Sequence, residues 1–135
     1  MPDFFEASKR HFSDAEFLRN NARLPNAAQL FGFAAECGVK ALIEKLDNNV
    51  LLPDYQKHAD GLVNLLHKYR LSVNGLQGAK YFAMLGRFKV FGTWHAYHRY
   101  EPESDIPLTR YLNGWKTASE DVQKMLQQAQ LDGVL

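Results

Sequence analysis

Residues 92–102, GTWHAYHRYEP, place two histidines, an arginine, a tryptophan and two tyrosines in one short stretch that ends at a proline. An imidazole titrates near neutral pH and can give or take a proton, and a guanidinium grips phosphate oxygens in a planar fork. His95 and Arg99 are four residues apart, one helical turn, so on a helix they would face one anion together. The same residues admit two other readings. The apolar row Met84, Phe88, Phe91 continues at helical spacing to His95 and His98, which would make both rings an extension of a packing face, with Trp94 and Tyr97 beside them. His95 and His98 with a carboxylate could instead hold a metal, but no third ligand is identifiable in the sequence, and no metal or other cofactor is expected.

Five amphipathic segments must position these groups. Apolar residues recur at helical spacing almost throughout and two-residue alternation is absent, so the chain is expected to be all-α. The first segment, about residues 3–21, puts Phe4, Phe5, Phe12, Ala15 and Leu18 on one face, with Asp3 as N-cap and Glu6 three positions on, as in a capping box. The second, about 25–47, has Pro25 in its first turn, and Leu30, Phe31, Ala34, Ala35, Cys37, Ala41 and Leu42 cover more than half its circumference, which predicts a central position. A third is predicted over about 58–70 and a fourth over about 79–98, after the turn-forming SVNGLQG. The fifth, about 108–130, carries Tyr111, Leu112, Trp115, Ala118, Val122, Met125, Leu126 and Ala129 at helical spacing. Long amphipathic helices with short connections favour an antiparallel up-and-down bundle of four to five helices, and 135 residues fit one domain over 1–135.

Totals narrow the function. A formal charge of +1 gives no reason for sequence-independent attachment to duplex DNA or an anionic membrane, so any nucleic-acid contact must be local. The single cysteine, Cys37, lies in an apolar run, which suits a small buried side chain and a reducing compartment. No window reaches about eighteen apolar residues and the start, MPDFFEASKR, lacks an apolar leader core, so the chain reads as soluble and cytoplasmic. On the second segment Gln29, Glu36, Lys40 and Glu44 form a polar line; Glu36 precedes Lys40 by four, the favourable order for an ion pair, and the line reads as a partly buried pair or an exposed stripe. Glu36 could otherwise orient a basic group from the fourth helix. His58 and Asp60 mark a helix start, and Lys68 and Arg70 a helix end. NGLQGAK follows a helix rather than a strand and lacks phosphate-loop spacing.

Taken together, DAEFLRNNARLPNAAQLFGFAAECGVKALIEK (14–45), KHADGLVNLLHKY (57–69) and the RY at 99–100 resemble the HEPN domains, named for their occurrence in higher eukaryotes and prokaryotes. The resemblance spans nearly the whole chain and rests on the order and spacing of individually weak motifs. It implies a helical bundle that pairs into a homodimer, binds RNA or nucleotides, and often stands beside a nucleotidyltransferase-like partner in toxin–antitoxin or defence systems. Catalytic members of the family are metal-independent endoribonucleases with an Arg, four to six residues, then a His, commonly with a Tyr two positions on. Here HAY (95–97) and HRY (98–100) each supply His-x-Tyr, but the nearest upstream arginine, Arg87, is separated from His95 by seven residues. Eight steps along one straight helix amount to about 12 Å and some 80° of rotation, so Arg87 and His95 of one chain would not meet a single phosphate there. The expectation is therefore a dimer that binds nucleotide, RNA or a partner protein through Arg87, His95, His98, Arg99 and Tyr100. The alternatives are a ribonuclease using His95 or His98 as acid or base, and a purely structural interaction domain.

Overall fold

The computed structural model describes residues 3–46, 80, 81, 83–85 and 108–135. The described residues hold three long helices and no strand: α1 (Phe4–Asn20), α2 (Leu24–Leu46) and α3 (Leu108–Leu131). The all-α expectation therefore holds. Asp3 caps α1 as its position in the sequence predicts: its backbone is extended and its Oδ1 accepts from the Glu6 N–H at 2.9 Å. The Glu6 carboxylate pairs forward with Lys9 at 2.9 Å.

Only three residues join α1 to α2. The turn is a Schellman closure, with the Ala22 N–H on the Arg19 carbonyl at 3.1 Å and the Arg23 N–H on the Leu18 carbonyl at 2.8 Å. Such a closure needs a left-handed residue, and Ala22 supplies it at φ +60°. The chain then doubles back. Phe12 meets Phe31 edge-on at 5.7 Å, Ser8 reaches the Ala34 carbonyl, and Lys40 stands over Phe4, so α1 and α2 form an antiparallel hairpin.

α2 packs against both α1 and α3, the central position its broad apolar surface predicts. Between Ala27 and Ile43 nearly every side chain is buried, including the polar Gln29, Glu36 and Lys40. Closeness comes from small residues. At Gly38 an added Cβ would overlap Val122 Cγ1 and stand 3.0 Å from Ser8 Oγ and 3.1 Å from Leu126 Cδ1, so this glycine is where all three helices touch. α3 buries one stripe, Leu112, Trp115, Ala118, Val122, Met125, Leu126 and Ala129, the face its periodicity predicts. Its end repeats the Schellman pattern: the Gly133 N–H bonds the Gln130 carbonyl at 3.1 Å and the Val134 N–H the Ala129 carbonyl at 2.9 Å, with Gly133 at φ +77°.

The third predicted helix lies outside the described residues, and the fourth is described only at its start. There the expectation of one helix over about 79–98 is corrected. Lys80, Tyr81 and Ala83 are helical, but Met84 is in a turn, its N–H on the Tyr81 carbonyl at 3.0 Å, and Leu85 is in no helix. Gly86 comes next in the sequence, and glycine favours helix ends because it loses nothing in leaving helical backbone. Tyr81 and Leu85 both join the core, so tertiary burial holds this interruption in place. The expected helix is thus not continuous through Met84 and Leu85, while Phe88, Phe91, His95 and His98 lie outside the described residues.

Candidate functional site

The structure decides the fate of the polar line on α2. Glu36 and Lys40 pair at 3.5 Å with side chains only 4% and 6% exposed, so the pair is buried and the exposed-stripe reading is overturned. Burial follows from position: α2 packs against both α1 and α3, and two charges one turn apart on such a helix enter the interior together. Taking two charges from water is costly and their attraction returns much of that cost only in good geometry, so such a pair stabilises little while resisting removal of either partner. Lys40 Nζ also stands 5.4 Å from the centre of the Phe4 ring, whose electron-rich face favours a cation. The partner that the structure gives Glu36 on its own helix is Lys40. Cys37 sits between them, and burial together with the Glu36 charge pushes its thiol up to about 11, which leaves it almost wholly protonated and a poor nucleophile at neutral pH.

A second polar node lies at the three-helix contact. Ser8 is fully buried; its hydroxyl donates to the Ala34 carbonyl at 2.7 Å and accepts from Gln123 Nε2 at 2.9 Å. A serine buried in mid-helix is tolerable because both hydrogen-bonding roles of its hydroxyl are filled.

A third node gathers on Asp132, one residue past α3. Lys80 Nζ and the Tyr81 hydroxyl donate to its Oδ2 at 2.7 and 2.6 Å, and Gln128 Nε2 donates to Oδ1 at 2.9 Å. The bonds from Lys80, Tyr81 and Gln128 hold the carboxyl down at about 2. Burial and the same hydrogen bond push the Tyr81 phenol up to about 12. Negative charge at a helix C-terminus meets the unfavourable end of the helix dipole, so three donors offset an adverse position. The node ties residues 80 and 81, six and more residues before Arg87, to the end of α3.

The structure thus brings together Glu36 and Lys40 of the residues singled out in the sequence. Arg87, His95, His98, Arg99 and Tyr100 lie outside the described residues, as do His58, Asp60, Lys68 and Arg70. Sequence reasoning missed Ser8, Gln123, Tyr81 and Asp132. The dipeptide Asp132-Gly133 directly after a long amphipathic run is a signal that marks the helix end, and nothing local points to its distant donors. Among the described residues there is no group of three metal-ligating side chains, and no helix there is long and apolar enough to cross a membrane. Comparison with protein-family models, with curated proteins and with solved structures found no match.

Proposed function

We propose that this chain is a HEPN-like bundle of four to five antiparallel helices that pairs with a second copy and binds RNA or nucleotide through Arg87, His95, His98, Arg99 and Tyr100. The observation that carries the reading is the sequence cluster itself: two overlapping His-x-Tyr triplets, with Arg99 inside the second and Arg87 upstream. Arg99 holds phosphate, Tyr100 stacks on a base or bonds a phosphate oxygen, and the histidines donate hydrogen bonds. The antiparallel hairpin of α1 and α2, with Glu36 and Lys40 buried as a pair on the central helix, supports the resemblance, and we assign that pair a structural role. A nucleotidyltransferase-like protein is the partner that the resemblance suggests, in a toxin–antitoxin or defence setting, and the compartment is cytoplasmic. Because the Arg-to-His spacing departs from that of the catalytic members, binding is the primary role.

Titration of short single-stranded RNA and of nucleotides against wild-type protein and Arg99→Ala tests this. Arg99→Ala should weaken binding by about tenfold or more, the loss expected for one charge-assisted phosphate contact, with the fold retained. Unchanged affinity removes the proposed contact. Incubation with RNA and chelator separates the enzymatic alternative: cleavage by the wild type that the His95→Ala/His98→Ala variant loses would make the protein a metal-independent endoribonuclease. A dimer that neither binds nor cleaves RNA would be a structural interaction domain.

A further inference from the structure

An open cleft of about 470 Å³ lies where the start of α1 meets the end of α2, and all of its named lining belongs to the described residues. Its volume falls within the range of small-molecule sites, about 300–1,000 Å³. The side chains of Phe4, Phe5, Ala41 and Leu135 supply apolar lining, and those of Asp3, Glu44 and Lys45 supply charge.

Three observations fix the kind of occupant. First, the charged side chains of the lining are two carboxylates against one ammonium, a formal excess of one negative charge among them. Second, both aromatic rings already attract cations within this fold: Lys9 Nζ stands 4.4 Å from the Phe5 ring centre and Lys40 Nζ 5.4 Å from that of Phe4. Third, the usual reason for an anion to sit at a helix start is weakened here, because Asp3 Oδ1 already takes the Glu6 N–H and places its own negative charge there.

We propose that this cleft binds a small organic monocation, an ammonium on an apolar body, with Asp3 and Glu44 holding the charge and Phe4, Phe5 and Ala41 taking the apolar part. Burial, and after it the neighbouring Asp3 charge, hold the Glu44 carboxyl above its ordinary range, while Lys45 opposes the shift. A cation bound beside Glu44 adds to the favourable charge of Lys45, which alone does not offset burial and the Asp3 charge.

The test uses 2-phenylethylammonium, with 2-phenylethanol and 3-phenylpropionate as neutral and anionic comparators, followed by amide chemical shifts and calorimetry. The amine should give saturable shifts at Ala41, Glu44 and Lys45. The alcohol should bind about tenfold more weakly, the worth of one charge-assisted contact, and the acid should not bind. Glu44→Gln should weaken the amine by about tenfold; so should Asp3→Asn, which keeps a competent N-cap and therefore keeps α1. Unchanged circular dichroism shows that each variant is folded. The proposal is overturned if the amine gives no saturable shift at these residues, if either comparator binds as tightly, or if folded Glu44→Gln binds the amine like the wild type.

Discussion

Two helices of this protein end in the same hydrogen-bond pattern built on different residues. At the end of α3 the left-handed position is Gly133, at φ +77°; at the end of α1 it is Ala22, at φ +60°. Glycine enters that region freely, whereas an L side chain brings its Cβ against a backbone oxygen at a cost of about 1–2 kcal/mol. The α1 end tolerates the cost because the short connection to α2 needs the reversal there, and α2 repays it through the whole hairpin contact. The α3 end has further anchors: Asp132 holds Lys80, Tyr81 and Gln128, and Val134 and Leu135 pack against the core. One backbone shape therefore serves a strained link in one place and a relaxed, multiply tied terminus in the other. Gly38 adds a third case, since its backbone is ordinary helix and what it lacks is room.

Substitutions at these positions separate space from backbone strain. Gly38→Ala has the largest expected effect: overlap with Val122, with Ser8 and Leu126 also tight, should cost about 3 kcal/mol or more, of which roughly 1 kcal/mol is returned by better helix propensity. Chemical denaturation measures it, and adding Val122→Ala should recover much of the loss if overlap is the cause. Gly133→Ala should cost about 1–2 kcal/mol for the opposite reason, because the added methyl meets nothing within 4 Å and only φ opposes it. A loss at Gly133 as small as that of an exposed surface change would deny the left-handed closure.

Tyr81→Phe should cost about 1 kcal/mol, the worth of one hydrogen bond, and should alter the pH profile at both ends. In the wild type the depressed Asp132 contributes stability that is present above its ordinary value near 3.8 and is lost as pH falls towards about 2. The raised Tyr81 contributes stability that is full below its ordinary value of 10 and is lost as pH rises towards about 12. Thermal melts across pH should show a shallower acid loss in Tyr81→Phe and none of the alkaline loss due to this phenol. Ala22→Gly should act in the other direction and be the smallest change. Relief of the left-handed strain, offset by the greater freedom glycine gives the unfolded chain, leaves a gain of about 0.5–1 kcal/mol, read as a higher denaturation midpoint.

Periodicity located the three long helices among the described residues. The stripe from Leu112 to Ala129 is buried as its spacing implies, the Asp3 cap is in place, and α2 is the most enclosed of the three described helices. These features depend on residues within one or two turns of each other, and one-dimensional order contains that information. The fourth helix failed at Met84 and Leu85 because two apolar residues in phase with a helix are equally welcome in a turn that buries them, and periodicity cannot distinguish the two. The polar line on α2 was visible, but whether it faces water depends on what lies across from it.

The amino-acid order by itself determined the helical class, the cap, the core stripes and the place of Cys37 on an apolar helix, since each follows from local backbone preference and from the removal of apolar surface from water. Tertiary structure alone decided that Glu36 and Lys40 are enclosed, that Ser8 joins three helices, and that Asp132 draws donors from fifty residues away. The physical reason is that hydrogen bonds and ion pairs act over a few ångströms in space, and separation along the chain gives no measure of that distance until the hydrophobic faces have packed.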